Sequence, residues 1–275
     1  MTNQMTPLVP TQPRARGEVR ASFGCTDGAT RLATLRQAGS SRALFPRTPS
    51  RALQMVLTNT SGGVTGGDRF KTDISVVEGA HVSVTTQAAE RAYRAQPGQI
   101  GRVDTTLRIA GSSRLNWLPQ ETILFDGCAF SRRLTVDLKP DATALLVEPI
   151  VFGRSAMGET ITRGMLDDRI EVRMSGDIVF LDRTRLDGDV AGVLRRSAVA
   201  AGACAAALVL FVSPKAEAVL PLLREMLPDT GGASLLGSEI LVARLLAADA
   251  FTLRRSLVPI LELLHEDVIP RPWTI

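Results

Sequence analysis

Short segments in which apolar and polar residues alternate are the strongest constraint on the fold of this chain. They occupy residues 82–85, 103–109, 134–139 and 170–174, where Val, Leu, Ile and Met alternate mainly with polar or charged residues. Successive side chains of a β-strand point to opposite faces, so a period of two is typical of half-buried strands. The sequence therefore predicts a mostly β body. The segments do not recur at a constant interval, so the pattern alone does not indicate a regular solenoid.

Two α-helices are predicted in the C-terminal part of the chain. Ser213 and Pro214 resemble an N-cap and a first helical position, and helical apolar spacing continues from there to Pro228. A second apolar face with helical spacing covers residues 251–264, where Pro259 is a candidate kink. Both apolar faces indicate packing against the β body.

The chain divides into a leader and one domain. Residues 1–16 are rich in Thr, Gln and Pro and predict a flexible leader, whereas residues 17–275 predict a single β-rich domain. The longest uncharged run, residues 198–212, is shorter than the roughly 20 residues needed to cross a bilayer, so we expect it to be buried protein and expect no membrane partner. Three unclustered cysteines and the lack of an apolar export segment predict a cytoplasmic protein.

The charge distribution argues against a nucleic-acid partner. The formal net charge is +4, and aromatic residues make up 4% of the chain. All of the basic excess lies in the first 50 residues, because the basic and acidic residues of the rest of the chain nearly cancel. Nucleic-acid binders usually combine a basic stripe with aromatic side chains that stack on bases. We therefore expect no nucleic-acid partner.

A glycine-rich segment at residues 61–68 resembles the front of a phosphate-binding loop. Gly62 and Gly67 have the spacing of that loop, but Asp68 stands where a lysine would neutralise phosphate. A carboxylate at that position repels a nucleotide. The segment is therefore predicted to be a structural turn that uses Gly62, Gly63 and Gly67.

The side chains that could carry chemistry are mainly carboxylates. The chain has two histidines and no G-x-S-x-G motif, so we expect neither a tightly bound metal cofactor nor a serine nucleophile. Oxygen ligands bind transition metals weakly enough to release them. One alternative stays open at this point: a β-helical carbohydrate-active enzyme in which Glu121 and Glu148 form an acid pair. A β-rich interaction scaffold unrelated to metals is another.

Four separate segments form a distinctive set. They are Ser61-Gly62-Gly63 with Gly67-Asp68, Thr85-Thr86-Gln87-Ala88-Ala89 followed by Tyr93-Arg94, Leu118 to Gly127 continuing to Arg132-Arg133, and Gly153-Arg154-Ser155-Ala156-Met157-Gly158-Glu159. In sequence, order and spacing they resemble the family of urease accessory proteins of the UreD type, also called UreH. The resemblance covers about residues 17–270.

This resemblance implies a β-helix-like stack of strands with two α-helices in the C-terminal part. It also implies a maturation factor without catalytic activity or a small-molecule substrate of its own. Such a nickel metallochaperone scaffold binds the structural subunits of apo-urease and recruits UreF and the GTPase UreG. Nickel(II) would pass transiently through an internal tunnel rather than bind tightly.

The resemblance also suggests which residues to examine. Within the matching segments, Asp68, Glu121 and Glu159 are the acidic residues expected to line or gate a nickel path. Arg154 is expected to pair with one of these carboxylates, because a guanidinium holds a carboxylate in fixed geometry. The C-terminal helices are the expected docking surface for UreF.

Overall fold

The computed structural model describes residues 12–77, 79–154 and 157–275, and these residues are mostly in strands. In chain order the elements are β1 (Arg16–Thr26), β2 (Ala29–Gly39), β3 (Ser41–Leu44), β4 (Leu53–Asn59), β5 (Arg69–Val76), β6 (His81–Thr86), β7 (Glu90–Ala92), β8 (Gly101–Ile109), β9 (Arg114–Leu118), β10 (Thr122–Leu124), β11 (Ala129–Leu138), β12 (Thr143–Phe152), β13 (Arg163–Met174), β14 (Asp177–Asp189), α1 (Val190–Leu194), β15 (Ala205–Val212), α2 (Ala216–Met226), β16 (Gly231–Leu236), β17 (Ile240–Ala247) and α3 (Ala250–His265).

The strands form two sheets that face each other. Sheet A has the order β14-β13-β11-β8-β5-β1-β2, and sheet B has the order β16-β17-β15-β12-β9-β6-β4-β3, with β10 attached to β12 and β7 attached to β10. The central strands of both sheets are parallel, and the chain alternates between the sheets from β4 to β13. This winding confirms the predicted β-helix-like stack and the predicted mostly β fold.

In-register stacking explains why the alternating segments fold in this way. Ile74, Leu107, Val136 and Val172 are aligned partners on four adjacent strands of sheet A, and each is fully buried. They pack against the inward side chains of sheet B in one apolar core. Each such side chain contributes roughly 1.5–3 kcal/mol by leaving water. The polar residues that precede and follow these four along each strand face the solvent side of sheet A.

The C-terminal helices cover the other face of sheet B. Leu145 and Phe211 from this sheet share a second core with Leu257 and Leu261 of α3. The central strands of sheet B are therefore buried on both faces. The expectation for the uncharged run holds only for its second half: β15 at residues 205–212 is buried, whereas Ala198, Val199, Ala201 and Gly202 lie in exposed turns before it. The two predicted helices are confirmed as α2 and α3. Within the described ranges, no helix combines the length and apolar character that a membrane span needs.

The start of α2 differs from the sequence prediction. The helix begins at Ala216 with Lys215 as its N-cap, so Pro214 is not the first helical residue. Ser213 remains joined to the end of the sheet, because its backbone N–H donates to the carbonyl of Glu239. Its hydroxyl accepts from the N–H of Lys215 at 3.2 Å, which makes a turn that precedes the helix.

The N-terminal part contributes more structure than its sequence suggested. Strands β1, β2 and β3 were not predicted, yet β1 pairs with both β2 and β5. Residues 1–11 of the predicted leader lie outside the described residues. The described remainder is attached to the domain, since the N–H of Ala15 donates to Asp68 Oδ1 at 2.7 Å and Arg16 opens β1.

Candidate functional site

A cavity of about 210 Å³ lies between the two sheets. Strands β5, β8 and β11 of sheet A line one wall, and β4, β9 and β12 of sheet B line the other. Exposed residues Arg42, Gln87 and Arg91 stand at its mouth. Its inner end is formed by buried side chains that include Trp117 and Glu148.

A buried ion network forms the inner end of this cavity. Glu148 Oε1 accepts a hydrogen bond of 2.8 Å from the indole N–H of Trp117. Glu148 Oε2 lies 2.5 Å from Arg132 Nη1, without the alignment of a hydrogen bond. Arg132 also makes a bidentate contact with Asp168, at 2.8 and 2.6 Å, and donates to the Thr122 hydroxyl at 3.2 Å. The network therefore joins sheet B, through Glu148, to two strands of sheet A.

Arg132 and Glu148 of this network differ in how their surroundings shift their pKa. Burial raises the pKa of Glu148 to about 7, although Arg132 and the Trp117 hydrogen bond oppose the rise. Burial alone would lower the pKa of Arg132, but the attraction of Asp168 and Glu148 outweighs it and raises that pKa. Arg132 therefore stays charged, whereas Glu148 exchanges its proton close to neutral pH.

A second carboxylate lines the cavity nearer its mouth. Asn59 Nδ2 donates to the two carboxylate oxygens of Glu90 at 3.3 and 3.1 Å and to the carbonyl of Gly63 at 2.9 Å. Burial raises the pKa of Glu90, against the lowering effect of the Asn59 hydrogen bond. Glu90 and Glu148 are the acidic residues that line this cavity.

Two of the predicted nickel-path residues lie outside the cavity lining. The Asp68 carboxylate is buried and accepts from the backbone N–H groups of Ala15 and Thr65, at 2.7 and 2.8 Å. Glu121 Oε1 accepts from Arg254 Nη1 at 3.2 Å, which links the third motif segment to α3. Asp68 therefore holds the glycine-rich turn at Thr65 and the chain that leads into β1. Glu121 holds α3 against the third motif segment through Arg254.

The third predicted carboxylate, Glu159, belongs to a cluster outside the cavity. It forms the ion pair with Arg154 that fits the expectation for that arginine, and it accepts from the backbone N–H of Asp126 at 2.9 Å. The Asp126 hydrogen bond and Arg154 lower the pKa of Glu159. The Arg154 guanidinium also lies 4.4 Å from the ring centre of Phe125, whose edge meets Tyr93.

Asp126 is the centre of this cluster. Its Oδ1 accepts from the backbone N–H of Arg163 and from the backbone and hydroxyl of Thr162, at 2.7 to 3.0 Å. Its Oδ2 accepts from Arg94 at 2.7 Å. Hydrogen bonds from Arg163 and Thr162 lower the pKa of Asp126 to about 2. This carboxylate is therefore anionic and fully occupied as an acceptor.

The glycine-rich segment at residues 61–68 contacts the same cluster through Tyr93. Gly62, Gly63 and Gly67 all have positive φ, at 79°, 154° and 89°. The Tyr93 hydroxyl donates to the Gly62 carbonyl at 3.2 Å, and the Tyr93 ring covers Gly63. All four motif segments thus meet in space through pairwise contacts, beside the cavity mouth to which Gly62 contributes.

The sequence-based site and the cavity differ in their acidic residues. Glu148 is one half of the carbohydrate-active pair suggested with Glu121, but Glu121 does not line the cavity that Glu148 faces. Glu90 was missed. The signal for Glu148 was a charged residue inside an otherwise apolar buried strand, which is costly unless it is paired. Within the described ranges, no three His, Cys, Asp or Glu side chains form a metal-ligand group.

The geometry defines a class: a β-solenoid-like protein that encloses a small cavity with a buried carboxylate at its inner end. A family model described as UreD urease accessory protein matches residues 15–274. The urease accessory protein UreD of Ruegeria pomeroyi is 53% identical over 244 residues, which cover 89% of this chain and 95% of that protein. That of Roseobacter denitrificans is 47% identical over 270 residues, or 98% of both chains. The chain therefore belongs to the UreD family of urease accessory proteins.

Proposed function

We propose that this chain is a urease maturation factor that binds apo-urease together with UreF and the GTPase UreG, and that its inter-sheet cavity is part of the route of nickel. It acts in the cytoplasm as a metallochaperone scaffold and has no catalytic activity of its own. Family membership supports the maturation role. The observation that carries the nickel role is the cavity with Glu90 towards its mouth and Glu148 at its inner end.

The chemistry of these two residues suits transfer of a divalent cation. Carboxylate oxygens hold Ni²⁺ less tightly than clustered imidazole or thiolate ligands, so a cation bound by one or two carboxylates can leave again. Glu148 gains its negative charge close to neutral pH, because burial raises its pKa to about 7. When Glu148 is ionised, the positive charge of Arg132 beside it balances the negative charge of the carboxylate. The cavity would therefore accept a cation without trapping it.

The maturation role is tested in cells that express the urease subunits and the other accessory proteins, with and without this chain. The measurements are urea hydrolysis and the nickel content of purified urease at limiting nickel. We expect both to require the chain. Equal activity and equal nickel content without the chain would refute the maturation role.

The nickel route is tested with Glu148→Gln and Glu90→Gln, which keep side-chain size and remove the charge. Glu239→Gln, an exposed glutamate in the turn between β16 and β17, is the matched control. We expect the two cavity variants to lower nickel content severalfold while the complex with UreF and urease still assembles. Normal nickel content in both would exclude the cavity route but leave the scaffold role intact.

A further inference from the structure

An arginine ladder crosses the outer face of sheet A, on the side away from the cavity. Arg16 on β1, Arg69 on β5 and Arg102 on β8 are aligned partners on three adjacent parallel strands. Arg16 and Arg69 are exposed, and Arg102 is half-buried. The strand ends are firmly placed, since the N–H of Arg69 donates to Ala15 and the N–H of Arg102 to Asp68.

Among the described residues, the three arginines of this ladder have no partner in an ion pair. None of the ion pairs formed within residues 12–77, 79–154 and 157–275 includes Arg16, Arg69 or Arg102. The nearest carboxylate along β1 on the same face, Glu18, faces Arg20 and Arg36 at 3.6 and 3.7 Å. Like charges placed directly opposite each other on neighbouring strands destabilise a sheet.

We infer that the arginine ladder is a docking site for an acidic α-helix of a partner protein. Neighbouring strands are about 4.8 Å apart, so the three arginines form a row with that interval. Acidic residues three and four positions apart on a helix are about 5–6 Å apart on one face. Every guanidinium of the row can therefore meet one carboxylate of such a helix, in the fork geometry that favours arginine.

The same spacing argues against other anionic partners. An extended acidic strand presents side chains on one face about 7 Å apart, so it matches fewer than three arginines at once. A nucleic acid would bring bases to stack as well as phosphates, and this outer face presents charged and small polar side chains at the aligned positions rather than aromatic ones. The helix is therefore the partner that fits the row.

The test measures binding of two fluorescent peptides to the full chain by anisotropy. Both are alanine-based helices with three glutamates, which lie on one face in the first peptide and are spread around the helix in the second. We expect the first peptide to bind about tenfold more tightly, because each charged hydrogen bond adds stabilisation. We also expect its affinity to fall as salt is raised, because salt screens exposed charges.

Variants of the full chain identify the ladder as the binding surface. Arg69→Gln should weaken binding of the first peptide about tenfold. Arg69→Lys should be intermediate, because lysine keeps the charge but loses the fork. Arg47→Gln, at an exposed arginine in the loop before β4, is the control and should bind normally. Urea unfolding of each variant checks folding, and Arg69→Gln should be at least as stable as the parent chain.

Three results would overturn the inference. The first is equal affinity for the two peptides, which would show that net charge alone governs binding. The second is a short DNA duplex that binds in an Arg69-dependent manner while neither peptide binds, which would make the ladder a nucleic-acid surface. The third is loss of peptide binding in Arg47→Gln as well as in Arg69→Gln, which would contradict a specific site.

Discussion

At Gly63 the backbone adopts a conformation that other residues rarely take, and it does so beneath an aromatic ring. A Cβ at this position would overlap the Tyr93 ring and lie 2.7 Å from the carbonyl oxygen of Arg91. Gly62 also has positive φ, but a Cβ there would meet open space. A side chain at Gly62 would therefore cost backbone strain alone, whereas one at Gly63 would cost backbone strain and steric overlap.

Substitution of each glycine by alanine should show this difference. We expect Gly63→Ala to lower the free energy of unfolding by about 3 kcal/mol, because overpacking adds to strain. Gly62→Ala should cost only about 1 kcal/mol, the cost of positive φ alone. Urea unfolding of both variants measures the two costs. Equal losses would show that the Tyr93 ring can move aside at little cost.

Glu148 should make the stability of the protein depend on pH. Burial raises its pKa from 4.5 to about 7 in the folded state, whereas the unfolded chain keeps the ordinary value. Between these pH values the folded state holds a proton that the unfolded state has released, so the free energy of unfolding falls as pH rises. The loss approaches about 3 kcal/mol above pH 7.

The Glu148→Gln variant isolates this contribution, because glutamine cannot ionise. We expect the stability of the variant relative to the parent chain to increase by up to about 3 kcal/mol between pH 4.5 and pH 8. Urea unfolding at several pH values gives the difference. A difference that is independent of pH would mean that Glu148 is ionised throughout this range.

At the scale of elements, the C-terminal segment holds α3 onto the motif segment between β9 and β10. The indole N–H of Trp273 donates to the carbonyl of Leu118 at 2.9 Å, and the ring is fully buried. The Arg254 guanidinium lies over this ring, 5.0 Å from its centre, and donates to both Gln120 and Glu121. Arg254 of α3 thus contacts both the C-terminal turn that carries Trp273 and the motif segment between β9 and β10.

Two variants of Trp273 distinguish its packing from its hydrogen bond. Trp273→Ala should cost about 4 kcal/mol, since it leaves a large cavity in the second core. Trp273→Phe should cost about 1–2 kcal/mol, because the Leu118 carbonyl loses its buried donor while most of the ring is kept. Thermal and urea unfolding measure both costs. Similar losses in the two variants would assign the stabilisation to the hydrogen bond.

The elements that were predictable from sequence are those with one face in the core and one in solvent. Strands β8, β11 and β13 carry the alternation because one face of each lies in the inter-sheet core and the other faces solvent. Strand β6 also alternates, although its polar residues Ser83 and Thr85 are buried on the second face of sheet B. Strand β2 is exposed along almost its whole length, so nothing in its sequence has to alternate. Strand β12 is buried on both faces and appears as a continuous apolar run.

The site was less predictable for a physical reason. Arg132, Glu148 and Asp168 lie on three different strands, and only the register of the strands and the stacking of the two sheets bring them together. The motif resemblance identified the cluster around Asp126 and Glu159 but not the buried network. Local sequence patterns record local geometry, whereas this network depends on contacts between distant segments.

At the scale of the whole molecule, this network is a polar link between the two sheets. Arg132 and Asp168 belong to sheet A and Glu148 to sheet B, and all three are nearly inaccessible to solvent. A second arginine–aspartate pair, Arg183 with Asp167, lies on the outer face of sheet A, where both side chains are partly exposed to solvent. The two pairs have the same chemistry in different surroundings.

Removal of the arginine should therefore be costly in the buried network and nearly neutral in the exposed pair. Arg132→Met leaves two carboxylates buried without a counter-charge, so we expect a loss of about 3–5 kcal/mol at pH 8. The loss should shrink as pH falls, because Glu148 can take up a proton. Arg183→Met should change stability little at any pH, since water solvates the carboxylate that remains.

The triple variant Arg132→Met, Glu148→Gln, Asp168→Asn completes the comparison. It has no buried charge at this place, so it should recover much of the stability that Arg132→Met loses and should show no pH dependence from this network. Urea unfolding across pH 5 to 8 compares all four proteins. If Arg132→Met and Arg183→Met lose equal stability at every pH, the buried network is not what joins the two sheets.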